Sequence, residues 1–139
     1  MRLMICGSMH FAKEMLRAKE ILEKIGYEVM VPSDVNECLL NPELNMDLEY
    51  CRTADIDKKD FDQVAKSDGI VVLNYERNNI RGYVGGATLM EIGLARYLNK
   101  KIFLLNNPPE EKDLRYALEI KVVRPIVLNG DLNNMLNYS

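Results

Sequence analysis

Gly82-Tyr83-Val84-Gly85-Gly86-Ala87-Thr88-Leu89-Met90-Glu91-Ile92-Gly93-Leu94-Ala95 follows an apolar run, Gly69-Ile70-Val71-Val72-Leu73, and a polar loop. The glycine pair stands where a helix should begin. From Ala87 on, Glu91, Leu94, Ala95 and Leu98 recur at helical spacing and share a stripe that is apolar except at Glu91. A carboxylate in that stripe either surfaces near the first turns or is buried at a cost. Glu91 lies within two turns of a helix start, where free backbone N–H groups gather and attract anions. A carboxylate so placed in a cleft is a candidate catalytic group.

Working outward toward the amino end, residues 2–6 form a short apolar run ended by Gly7-Ser8. Phe11, Met15, Ala18, Leu22 and Ile25 continue as a helical stripe, Gly26 stops it, and residues 27–31 read as a second strand closed by Pro32. Strand, helix and strand in this span make a βαβ unit, whose crossover should be right-handed. Residues 33–52 read as a long loop with one helical turn, serving either as a lid or binding loop or as a plain surface insertion. Residues 53–67 are predicted as one helix, capped by Thr53 or Asp55, with Ile56, Phe61, Val64 and Ala65 on its buried side. Toward the carboxyl end, residues 101–105 read as a fourth strand, residues 110–119 as a helix after Pro108-Pro109, and residues 125–128 as a fifth strand. The last residues add one terminal turn.

The strands are continuous apolar runs alternating with helices. That pattern predicts an α/β three-layer sandwich whose five-stranded parallel sheet is covered on both faces. The flavodoxin-like order 2-1-3-4-5 follows, in a single domain over residues 1–139. Ligands on such sheets bind beyond the carboxyl ends of the strands, here Gly7-Ser8, Pro32-Ser33, Asn74-Tyr75 and Asn106-Asn107.

The chain has 139 residues and a net charge of -3, and no run of Lys or Arg, which argues against a nucleic acid polymer as partner. Cys6, Cys38 and Cys51 have no paired metal spacing and fit a reduced, cytoplasmic setting. No signal peptide and no apolar run of membrane-spanning length is visible, so no membrane partner is expected. Neither glycine pair is a Walker loop or a dinucleotide fingerprint, and no cofactor is expected. No metal is expected either. His10, the one histidine, has no zinc-like partners, and the acidic group Asp55, Asp57, Asp60 and Asp62 lacks the glycine of a calcium loop. Most of that group reads as a solvated face, but Asp60 sits at the edge of the buried stripe, four residues from Ile56 and from Val64. Gly7-Ser8 and Gly85-Gly86 both let backbone approach an anion closely, and His10 follows where a phosphate would meet it.

Three segments resemble the nucleoside 2-deoxyribosyltransferase superfamily, including its branch of 2'-deoxynucleoside 5'-phosphate N-hydrolases. They are Met4-Ile5-Cys6-Gly7-Ser8, the stretch from Asp60-Phe61-Asp62 through Ser67-Asp68-Gly69 to Val72, and Gly86-Ala87-Thr88-Leu89-Met90-Glu91-Ile92-Gly93-Leu94-Ala95 with Asn99-Lys100-Lys101. The resemblance implies cleavage of an N-glycosidic bond in a nucleoside or nucleotide substrate. Glu91 would be the nucleophile and would form a glycosyl-enzyme ester, and Asp60 would handle the departing base. Asp68 would open the third strand, as in the family, and a phosphate would lie over Gly7-Ser8 and Gly85-Gly86. With these glycines, Ser8 and His10, Asp68 and the strand-end Asn74 complete the expected substrate-binding residues. A homodimer or higher homo-oligomer is also implied, with the helix from Gly86 and the Tyr97-Leu98 region as its face.

The chain departs from the family pattern at three positions. Gly85 replaces an acidic residue common in the transferases, which weakens transfer between free nucleosides. Met4 takes the place of a first-strand Tyr that steadies the nucleophile. His10 stands where the hydrolase branch has an Arg, which weakens the case for a nucleoside monophosphate. Two other readings stand beside catalysis: a non-catalytic nucleotide-binding or sensor module on the same fold, and a Glu91 that merely caps or salt-bridges within a helix pair.

Overall fold

The computed structural model describes residues 1–138. Its strands are β1 (Arg2–Cys6), β2 (Glu28–Met30), β3 (Gly69–Val72), β4 (Lys101–Leu104) and β5 (Ile126–Val127). They form one sheet in the order β2-β1-β3-β4-β5 with every pairing parallel, as the apolar runs require. Leu3 lies beside Gly69 and Cys6 beside Val72, so β1 and β3 end together at the carboxyl edge of the sheet.

The two-residue alternation of the strands divides the core between the faces. Leu3, Ile5, Val71, Leu73 and Phe103 turn toward α1 (Ala12–Lys24) and a terminal 3-10 segment, Leu132–Tyr138. Met4, Cys6, Ile70, Val72, Ile102 and Leu104 turn toward α4 (Ile56–Lys66), α5 (Gly86–Tyr97) and α6 (Ala117–Val122). The result is the three-layer, flavodoxin-like arrangement expected from the alternation of strands and helices. Among the described residues no helix is long and apolar enough to cross a membrane.

Four local expectations need correction. Residues 33–52 are not a loop: they hold α2 (Val35–Leu40), a 3-10 turn (Pro42–Met46) and the start of α3 (Leu48–Thr53). The last two pieces have their own start signals. The Asn41 side chain accepts from Glu43 N–H ahead of Pro42, and Asp47 Oδ1 accepts from Tyr50 N–H at 3.0 Å. The single helix expected over residues 53–67 is split, because Thr53 closes α3 and Asp55 is left-handed at φ 56° before α4 begins. An acidic residue tolerates that conformation better than most, and its side chain makes no cap bond. Residues 110–116 form turns, and α6 begins only at Ala117 and ends before a left-handed Arg124 and Pro125. Finally, α5 buries Thr88, Glu91, Ile92 and Ala95, whereas Ala87 and Leu98 are exposed, as is Ala65 on α4. The stripe is rotated by one residue, which turns Ala87 and Met90 toward a cleft instead of the sheet.

Candidate active site

The cleft opens at the carboxyl edge of β1, between α4 and α5. Asp60 on α4 and Glu91 on α5 face it from neighbouring helices, each only 7% exposed. Gly7 forms the floor. Pro32 and Asp34 follow β2, Ile56, Asp57 and Phe61 come from α4, and Leu48, Cys51 and Arg52 from α3 close the side. The cavity measures about 300 Å³, the lower end of the range typical of small-molecule sites. The 3-10 turn and α3 are therefore part of its wall, through Asn45, Leu48, Cys51 and Arg52.

Electrostatics follow from burial. Desolvation, with the nearby Asp60 carboxyl adding to it, pushes Glu91 up to about 8, and the Cys6 thiol partly offsets this. Burial also raises Asp60, opposed by the Ser33 backbone N–H, which donates to Asp60 Oδ1 at 2.9 Å. Burial holds the Cys6 thiol well above its ordinary range, so it stays protonated beside Glu91. Two largely buried carboxyl groups in one hollow, one of them fixed by a backbone donor, are the arrangement in which a pair of titrations is driven apart.

A second hollow adjoins the first and shares Gly7, Met9, Asn45 and Ala87 with it. It is lined by Ser8, Arg77, Tyr83, Gly85, Gly86 and Thr88. Gly85 precedes the first turn of α5 beside the Tyr83 ring, Gly86 opens it with nothing near the place a Cβ would occupy, and no side chain caps the first amides of the helix. Arg77, on the loop after β3, donates from a guanidinium N–H to Ser8 Oγ at 2.8 Å and sits over the Tyr83 ring at 5.9 Å. An arginine, a hydroxyl and helix N-terminal amides on one hollow are groups chemically suited to an anion.

The structure brings together Glu91, Asp60, Gly7, Ser8, Gly85 and Gly86 in these two adjoining hollows. It leaves out three residues expected with them. His10 is exposed, packs edge-on against Phe11 and lines neither hollow. Asp68 lies at the opposite, amino edge of the sheet, where its Oδ2 accepts from Arg2 N–H at 2.7 Å. Asn74 is fully buried: its amide donates to the Asn106 and Asn107 carbonyls at 2.9 and 3.2 Å, and its Oδ1 accepts from Asn106 N–H at 2.9 Å. Its hydrogen-bonding capacity is spent on tying the end of β3 to the end of β4.

Two site residues escaped the sequence reading, Arg77 and Asp34. Both follow the carboxyl end of a strand, and that topological position is the signal that could have found them.

No family model matches the chain, and no curated protein matches it either. Among solved structures, the chain is similar to a CMP N-glycosidase, BcmB, from Clostridium botulinum. The TM-score is 0.52 at 18% identity, over 99% of this chain and 96% of that one. At that identity the likeness is one of fold.

Proposed function

We propose that the protein cleaves the N-glycosidic bond of a nucleoside 5'-monophosphate, as a member of the nucleoside 2-deoxyribosyltransferase superfamily. One observation carries this reading: Glu91 and Asp60 line one cavity at the carboxyl edge of the sheet, next to a hollow that offers Arg77, Ser8 and the first amides of α5. The fold likeness to a CMP N-glycosidase supports it. With phosphate against Arg77 and Gly86, the sugar lies over Glu91. A Glu91 carboxylate oxygen then attacks the anomeric carbon as the bond to the base nitrogen breaks. The bonding pair leaves with the base, and Asp60 delivers a proton to it. Water attacks the same carbon of the glycosyl ester, gives up a proton to Asp60, and releases Glu91 and the sugar phosphate. Partial positive charge on the sugar in both steps is favoured by the adjacent carboxylates.

Arg77 answers the lack of an arginine at position 10, because it brings a guanidinium to Ser8 from another loop. Gly85 keeps a carboxylate away from the anion hollow. Both features favour a monophosphate over a free nucleoside, and hydrolysis over transfer. Exposed Met90 and Tyr97 on α5 are the surface through which a homo-oligomer would form, which sedimentation at two concentrations would test.

The deciding experiment is incubation with nucleosides and their 5'-monophosphates, with free base measured by chromatography. Base release from a monophosphate, lost in Glu91→Ala, is expected. No release from any of them, or undiminished release by Glu91→Ala, overturns the proposal. One observation favours a binding module instead: Glu91 is held protonated at neutral pH in the free protein. A thermal shift with monophosphates and no turnover up to pH 9 is the outcome that reading requires.

A further inference from the structure

Asp34 makes no bond and moves no proton in the cleavage steps, although its charge helps to raise Glu91 and Asp60, and it is one of the most buried polar side chains in the protein, 3% exposed. It precedes α2 but makes no cap bond to it. Its Oδ2 accepts from the Cys38 thiol at 3.2 Å. Its Oδ1 is buried with no hydrogen-bond partner among the described residues, although Asp34 is one of the residues that line the cavity with Glu91 and Asp60. An unpaired buried carboxyl oxygen costs stability, and where one belongs to a residue lining a cavity a ligand donor is the natural partner.

The direction of the substrate decides what that donor is. Asp34 lines the hollow with Glu91 but not the one with Arg77 and Gly86. With the sugar over Glu91 and the 5'-phosphate toward Arg77, the group that reaches Asp34 is the one on the other side of the sugar, the base carried by the anomeric carbon. The wall around it suits a flat ring, since Pro32, Leu48, Ile56 and Phe61 share this cavity. Ser33, the neighbouring residue, already donates its N–H to Asp60, so it does not satisfy Asp34.

We infer that Asp34 reads the leaving base: its free Oδ1 accepts an N–H from an exocyclic amino group, so the cavity selects amino-bearing nucleotides over their carbonyl counterparts. A base with a carbonyl at that place sets two acceptors against each other, and the cavity rejects it. The inference rests on the proposed glycosidase reading for the orientation of the substrate, but its signature is in binding as well as in turnover.

The test uses calorimetric binding and base release with three probes, CMP, UMP and N4,N4-dimethyl-CMP, on the unmodified protein and on Asp34→Asn. The unmodified protein is expected to bind CMP about tenfold or more tighter than the two probes without an amino N–H. In Asp34→Asn, which presents a donor as well as an acceptor, CMP loses about tenfold in affinity and its advantage over UMP shrinks to about threefold or less. Equal binding of CMP and UMP, a preference that survives in Asp34→Asn, or no binding of any probe overturns the inference. So does a variant that changes the ratio of CMP to its 2'-deoxy analogue, because the acceptor then serves the sugar. If Asp34→Asn does not fold, the comparison of CMP with its dimethylated form on the unmodified protein decides alone. An Asp34-dependent preference without base release supports the inference and overturns the cleavage reading, whereas equal release from CMP and UMP does the reverse.

Discussion

Arg77 makes the substrate question sharp at the scale of single residues. Its guanidinium bonds Ser8 Oγ and lines a hollow distinct from the one around Glu91. On the proposed reading Arg77→Ala removes a charge-assisted contact to phosphate, so KM for a nucleoside monophosphate should rise about tenfold to a hundredfold. KM for the matching nucleoside should stay within about twofold, and steady-state kinetics on the pair measures both. Asp60→Asn keeps the shape and the Ser33 bond but cannot pass a proton, so kcat should fall by about a hundredfold or more with little change in KM. A single-turnover assay that follows base release separates this from slower product release. At this scale Glu91 and Asp60 were legible in the sequence, because each is an acidic residue out of place on a helical stripe. Arg77 and Asp34 were not, since a lone charged residue in a polar stretch carries no periodic signal. Only the fold reveals that both belong to the same edge as Glu91.

Whole elements are held at that edge by tight backbone contacts. Gly82, at φ 71°, runs against the Asn107 carbonyl, where a side-chain carbon would overlap the backbone. Gly82→Ala therefore combines left-handed strain with overlap and should destabilise the protein by about 2–4 kcal/mol, read by denaturant unfolding. Asn74→Ala removes the side-chain bonds joining the ends of β3 and β4 and should cost about 2 kcal/mol. KM of the folded variant should stay close to that of the unmodified protein, because Asn74 is covered by those bonds. The strands, α1 and α5 were legible because each presents a sustained apolar pattern, and the sheet order followed from their alternation. The wall of residues 35–53 was not, because its helices have six residues each, shorter than the window in which helical spacing can be recognised. Its N-cap residues, Asn41 and Asp47, were the local signals available. The split before α4 turns on one left-handed Asp55, which no spacing announces.

For the molecule as a whole, burial of Glu91 sets stability against activity. Its carboxyl is raised from 4.5 to about 8 in the folded protein, so between those values the native state holds a proton that the unfolded chain releases. Stability from this group is fully present below about pH 4.5, falls as pH rises, and levels off above about 8. The total loss is on the order of a few kcal/mol. Attack on the sugar needs Glu91 ionised while Asp60 still holds the proton for the base, so only the singly protonated pair is active, and kcat/KM should be bell-shaped, falling again above about 8. Glu91→Gln should remove this part of the fall in melting temperature while abolishing turnover, which thermal unfolding and a pH-rate profile would establish together. Glu91 and Asp60 stand on α5 and α4, while Asn45, Leu48, Cys51 and Arg52 close the side of the same cavity from a separate stretch of chain. On the proposed cleavage reading, chemistry and choice of cargo would reside in separable parts of the chain. Exchanging that stretch would then offer evolution, or a protein engineer, a route to new nucleotide preferences without rebuilding the machinery that breaks the bond.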